Sequence, residues 1–178
     1  MAGDERIRLF CGFALPDDVV RRLVEWEEAH LLHAGRIVRG GNLHVTLAFL
    51  GARPAAELPA VVSALEAAVV GAGAVRFGVR GYRETRSVGM LTLDDVGARA
   101  RGVAERLHES LEALGVYRRE ARPWLPHVTV LRFRDRPRLD PPLPELGEFA
   151  PSDAAAYLSR LRPDGAQYEV LERVALGG

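Results

Sequence analysis

The sequence contains no lysine. All 24 of its basic residues are arginine, and 24 acidic residues balance them to a formal net charge of zero. Without lysine there can be no lysine Schiff base, no phosphate-loop lysine and no lysine–adenylate ligation. Any phosphate must be held by arginine, histidine, hydroxyls or backbone N–H groups. A genomic base bias accounts for the arginine, since Ala, Gly and Val are also abundant. The single cysteine, Cys11, excludes a disulfide-stapled scaffold. Zero net charge argues against non-specific coating of nucleic acid, but it permits a local cationic pocket. No apolar run approaches the roughly 20 residues a bilayer span needs. The short stretch from Leu9 to Leu15 is followed by Pro16-Asp17-Asp18, not by a small-residue cleavage site. A soluble cytoplasmic protein is expected. No glycine-rich dinucleotide or phosphate-loop fingerprint is present. What remains is ample core material: 178 residues, 48% hydrophobic and 27% charged, which fits one compact unit or two small lobes and argues against intrinsic disorder.

Periodicity supplies the elements. Ile7, Leu9, Cys11 and Phe13 alternate on one strand face. Pro16-Asp17-Asp18 opens a helix, with Val19, Leu23, Trp26 and His30 at helical spacing and a stop near Gly35. Arg36 to Arg39 reads as a short strand, and Leu43 to Leu50 as the clearest one. A second helix covers about 55–70, strands follow at 75–82 and 90–93, and a third helix runs from Asp94 or Asp95 to Leu114, with Gly115 ending it. His127 to Phe133 is a strand, 134–144 a charged, proline-rich loop, and two strands near 154–162 and 167–176 close the chain. Consecutive strands look hairpin-linked, so an α+β fold with mainly antiparallel sheets is expected over a doubly wound one.

Two segments are alike: Leu43-His44-Val45-Thr46-Leu47 and Pro126-His127-Val128-Thr129-Val130. Each sets His-x-Thr on an apolar strand, and the histidines are 83 residues apart. That is close to half the chain, so an internal duplication is plausible. In a strand, residues i and i+2 share a face. His44 and Thr46 therefore project together, as do His127 and Thr129, while the intervening valines point into a core. Brought into one cleft, two imidazoles and two hydroxyls suit phosphodiester chemistry. One imidazole takes a proton from the attacking water and the other gives one to the leaving oxygen. The hydroxyls donate to the non-bridging oxygens, where charge accumulates. The scheme requires no metal or cofactor, and the sequence has no compact ligand cluster such as His-Glu-x-x-His.

These paired motifs resemble the 2H phosphoesterase superfamily. The flanking text resembles its RNA 2′,3′-cyclic phosphodiesterases, historically called 2′-5′ RNA ligases. That text is Arg8-Leu9-Phe10 and Ala14-Leu15-Pro16, then Asn42 to Gly51, then Pro126 to Val130, and finally Ser159-Arg160-Leu161 with Tyr168 to Leu171. The resemblance runs over nearly the whole chain. It implies one bilobal domain over 1–178, with two pseudo-symmetric α+β lobes around a positively charged cleft and one motif per lobe. It implies metal-independent opening of an RNA 2′,3′-cyclic phosphate end to a 2′-phosphate, with a weak capacity to join RNA ends through a 2′-5′ linkage. It also implies that His127 is the base and His44 the acid, that Thr46 and Thr129 bind phosphate, and that Arg132 occupies a phosphate-contacting position. Strict alternation places Arg132 opposite His127 and Thr129, so it reaches the cleft only if the strand bulges or ends, or if the side chain curls round.

Other readings stay open. The substrate of a related enzyme could be another phosphodiester, such as a 2′-5′ oligonucleotide, or the chain could be a non-catalytic RNA-end-binding module. His30, His33 and His108 read as surface or helix-end residues, and Cys11 and Trp26 as core. Phe10, Phe49, Trp124 and Tyr168 are candidates for stacking on a base, against ordinary packing. Arg118, Arg119 and Arg122 form either an RNA contact or a solvated loop. Neutral charge and a self-contained core make a monomer the default.

Overall fold

A computed structural model describes residues 5–177. The strands are β1 (Arg6–Ala14), β2 (Arg36–Ile37), β3 (His44–Pro54), β4 (Phe77–Glu84), β5 (Val88–Asp95), β6 (His127–Arg132), β7 (Asp153–Arg162) and β8 (Gly165–Val174). The helices are α1 (Asp17–His30), α2 (Leu58–Val69) and α3 (Arg99–Ala113). All strands pair antiparallel, in the order β4-β5-β6-β3-β1-β7-β8, with β2 added to β6. The path narrows at its centre. There β3 and β6 share a single register pair, Val45 opposite Val128. Four strands lie on each side of that contact, β3, β1, β7 and β8 on one and β2, β4, β5 and β6 on the other. The architecture is α+β, as expected.

One face of the sheet is core. Val45, Leu47, Val128, Val130 and Leu131 are all buried, and so are Val61 and Leu65 of α2 and Val103, Leu107 and Leu111 of α3. Each such side chain stabilises the fold by about 1.5–3 kcal/mol relative to exposure. The helices therefore cover the face to which the motif valines point and leave the histidine face uncovered.

Element ends differ from the sequence expectation for local reasons. Helix α1 stops at His30, not near Gly35. The chain turns so that Leu31 enters the core. Gly35 is then a close-approach point, where any β-carbon would collide with the Arg132 carbonyl. Strand β5 absorbs Asp94 and Asp95, and α3 begins at Arg99. Asp95 still caps it, accepting the N–H groups of Ala100 (3.0 Å) and Arg101 (2.8 Å). The proline-rich loop is tethered by buried Glu84. Its carboxylate accepts the N–H groups of Arg138 (2.8 Å) and Leu139 (3.0 Å), the Tyr82 hydroxyl (2.8 Å) and Arg136 Nε (3.3 Å). Burial would raise this carboxyl's pKa, but the four donors outweigh it and hold the pKa below the ordinary value.

Candidate active site

Val45 and Val128 face each other at the centre of the sheet and are essentially solvent-free. Their neighbours must point the other way. Extending the antiparallel register by one residue each way sets His44 across from Thr129 and Thr46 across from His127, all on one face. His44, Thr46, Thr129 and Arg132 line a cleft of about 1090 Å³. His127 is not among the lining residues. It is half-buried, and it lies close enough for its charge to act on His44.

The two imidazoles are held alike. His44 Nδ1 lies 2.7 Å from the Asn42 carbonyl, and His127 Nδ1 lies 2.8 Å from the Leu125 carbonyl. A carbonyl only accepts, so each Nδ1 carries the proton and each Nε2 is left for chemistry. His44 Nε2 accepts the Thr46 hydroxyl at 2.8 Å. The His44 pKa is lowered to about 4. Burial of the ring is the main cause, and the positive charges of His127 and Arg132 add to it against the Asn42 bond. His44 is thus neutral at pH 7.

Several residues beyond the motifs fix this arrangement. Gly12 of β1 lies under the first motif, where a β-carbon would come within 2.7 Å of the Val45 carbonyl and 3.3 Å of His44 Cδ2. The Asn42 side chain donates to the Ala166 carbonyl (2.7 Å) and accepts the Tyr168 N–H (3.2 Å), tying the carbonyl that orients His44 to β8. Trp124 donates its indole N–H to the Thr46 carbonyl at 3.0 Å, just beyond the end of the β3–β6 ladder. Trp124 was a stacking candidate in the sequence, and here it joins one motif to the other. His108 is buried, not at the surface, and its Nε2 bonds the Leu47 carbonyl at 2.8 Å. The helical stripe of α3 carries it against β3 beside Leu107 and Leu111.

Two bulges aim further side chains. In β6, Thr129 pairs with Met90 and Leu131 with Gly89, so Val130 is an extra residue. The step returns Arg132 to the face of Thr129, and it lines the cleft. In β3, Gly12 pairs with Thr46 and Cys11 with Ala48, leaving Leu47 extra. Phe49 thereby turns onto the cleft face, where it is 50% exposed. The Arg8 guanidinium sits over its ring at 5.4 Å. Phe10, in contrast, is buried between His44 (4.8 Å between ring centroids) and Tyr157 (4.6 Å, stacked). Tyr168 stands edge-on to His44 at 5.3 Å. These rings wall the imidazole. His30 and His33 border a separate shallow depression with Pro137 and Leu139. Arg119 and Arg122 pair with Glu112 and Glu120, and neither they nor Arg118 line the cleft. Cys11 is buried, and its thiol pKa is pushed up to about 12 by burial. Trp26 is buried too, donating to the Pro142 carbonyl at 2.7 Å. Among the described residues, no group of three or more His, Cys, Asp or Glu side chains could hold a metal ion, and no helix is long and apolar enough to cross a membrane.

Comparison with known proteins agrees with this geometry. A curated RNA 2′,3′-cyclic phosphodiesterase of Escherichia coli is 30% identical over 95% of this chain and 96% of its own length. One from Thermus thermophilus is 32% identical over 97% and 91%. Among solved structures, E. coli LigT in apo form matches with a TM-score of 0.79 at 25% identity, covering 98% of this chain and all of its own. A crystal structure from Thermus thermophilus matches with a TM-score of 0.79 at 31% identity, over 96% of this chain and 98% of that one. The model of the 2′-5′ RNA ligase superfamily covers residues 15–163, a span that holds both His-x-Thr strands, and the chain belongs to that superfamily.

Proposed function

We propose that the protein hydrolyses the 2′,3′-cyclic phosphate at an RNA end to a 2′-phosphate, using His44 and His127 as an acid–base pair. The observation that carries this reading is the Val45–Val128 register, which turns two imidazoles and two hydroxyls to one face. Water attacks phosphorus and the P–O3′ bond breaks. One imidazole accepts the water proton while the other delivers a proton to the departing O3′. His127 is the base and His44 the acid, as the family resemblance suggests. Thr46 and Thr129 donate hydroxyl hydrogens to the non-bridging oxygens, and Arg132 balances their charge. An anionic phosphate entering the cleft adds a negative charge beside His44 that favours its protonated form, working against the burial and the positive charges that depress it. The names of the curated relatives support the substrate class, and E. coli LigT has been crystallised with phosphate and with 3′-AMP. In this reading the four-stranded halves are the two lobes of one domain and the protein is a cytoplasmic monomer. A weak 2′-5′ joining activity accompanies hydrolysis.

The test is a short RNA bearing a 2′,3′-cyclic end, incubated with purified protein in chelator and mapped for 2′- or 3′-phosphate. Full turnover to the 2′-phosphate is expected. His44→Ala and His127→Ala should each lower kcat by about 10²–10⁴ while circular dichroism stays native. Turnover lost in chelator and restored by a divalent metal would overturn the scheme, as would a fully active His127→Ala.

A further inference from the structure

The chain is neutral overall, yet its cleft is not. Among the described residues, Arg8, Arg36, Arg39, Arg132 and Arg162 line it, against a single carboxylate, Asp164. Asp164 is taken up by Arg39 at 2.7 Å, on the exposed rim. Arg36, Arg132 and Arg162 form no ion pair among the described residues. One reacting phosphate cannot use this much charge, and the cleft exceeds the roughly 300–1,000 Å³ that encloses a whole drug-sized ligand.

The surplus has a direction. Arg132 lines the cleft together with His44 and Thr129. Arg36 is its register partner on β2, one strand further out. Beyond it, Arg36 Nη1 lies against the β7–β8 turn, 2.9 Å from where a β-carbon of Gly165 would sit. Gly165 has φ +121°, which favours glycine, so the turn is built to admit the guanidinium. Arg162 stands at the end of β7 on the same turn, and its Nε bonds Gln167 at 3.3 Å. The opposite end of the cleft differs in kind, with Arg8 covering the Phe49 ring.

We infer that Arg36 and Arg162 form a backbone track for the RNA segment 5′ of the cyclic end, making an oligonucleotide, not a mononucleotide, the preferred substrate. This rests on the cyclic phosphodiesterase reading and adds the residues that hold the strand. Guanidinium groups beside the β7–β8 turn meet successive phosphates through charge-assisted hydrogen bonds without reading sequence.

The experiment compares a nucleoside 2′,3′-cyclic monophosphate with a five-nucleotide RNA ending in the same cyclic nucleotide. The proteins are wild type and the double variant Arg36→Ala/Arg162→Ala, both positions being exposed. Wild type should show the lower KM for the RNA. The double variant should raise that KM roughly tenfold, as for two partly exposed ion pairs, and leave the monophosphate kcat/KM unchanged. Anisotropy of a labelled RNA ending in 2′-phosphate gives a readout independent of turnover. Its log Kd against log salt should lose about 1.4 in slope, near 0.7 for each lost phosphate. Equal KM values for the two substrates in wild type would overturn the track, and so would a variant that weakens both alike. Competition by a glutamate-rich peptide of equal charge, as effective as RNA, would assign the surface to a protein instead. If wild type opens neither substrate, the functional reading fails, and the anisotropy slope still decides the track.

Discussion

Glu27 sits in the core, and neither carboxylate oxygen has a hydrogen-bond partner among the described residues. Burial raises its pKa from 4.5 to about 9, with Glu28 adding to the effect and the nearby Val38 backbone N–H opposing it. A carboxyl with a raised folded-state pKa favours the folded state most below its unfolded value and loses that contribution as pH rises towards the folded value. At pH 7 the folded chain must retain a proton that the unfolded chain has released. Two and a half units between 4.5 and pH 7 correspond to a cost of about 3 kcal/mol, at 1.36 kcal/mol per unit. At pH 5 the same arithmetic gives about 1 kcal/mol. Glu27→Leu should therefore be more stable than wild type, and the gap should widen by about 2 kcal/mol from pH 5 to pH 7. In thermal melts each kcal/mol corresponds to about 2–4 °C for a chain of this size. Urea unfolding at several pH values measures both terms, and Glu27→Gln separates them. Glutamine removes the titration, so its stability difference from wild type also grows with pH, but it keeps a polar group in the core. A Glu27→Leu advantage that is flat between pH 5 and pH 8, or absent, would mean that the carboxylate is paired or wet, and the reasoning would fall.

Three further outcomes follow from the site geometry. Gly12→Ala places a β-carbon 2.7 Å from the Val45 carbonyl. It should cost about 1–3 kcal/mol in denaturant unfolding and displace His44, lowering kcat with it. Trp124→Phe keeps the ring but leaves the Thr46 carbonyl without its donor. Stability should fall by about 1–3 kcal/mol, and kcat should drop more than KM rises. Carbon-13 NMR of the imidazoles in the free protein should find His44 neutral down to about pH 4; a midpoint at the ordinary imidazole value would contradict the burial and the repulsion assigned to it.

The strands that carry the paired motifs were legible because the signal was local. Alternation put Val45 and Val128 inward and the four polar side chains outward, and the structure keeps that arrangement. Bulges were not legible. Arg132 reaches the cleft because Val130 is an extra residue in β6, and nothing in Thr129-Val130-Leu131 marks it, since no glycine or proline stands there. The bulge at Leu47 has no marker of its own either, although Gly51 at φ +72° marks the next register shift, at Leu50. Long-range polar contacts were invisible for a different reason. His108, Trp124 and Asn42 each bond a backbone group, and a sequence does not show which carbonyls a sheet leaves unpaired. Glu27 had a usable sign. It falls four residues from both Leu23 and Leu31, on the buried stripe of α1, where a charge conflicts with its neighbours.

The missing lysine acquires a meaning at the site. A lysine at position 132 would carry a charge that can be given up as a proton, because an ammonium group titrates where a guanidinium does not. Arg132 therefore stays charged, and the cost of crowding positive charge falls on the weakest base present, the buried ring of His44. On the proposed reading, the acid is loaded by the negative charge of the phosphate it will act on. The rate should then respond to the charge of the scissile group itself. A neutral methyl phosphotriester of the same cyclic end, intrinsically more electrophilic at phosphorus, should be opened more slowly than the diester, because it binds without recharging His44. Faster opening of the triester in this cleft would show that proton delivery by His44 does not depend on the anion.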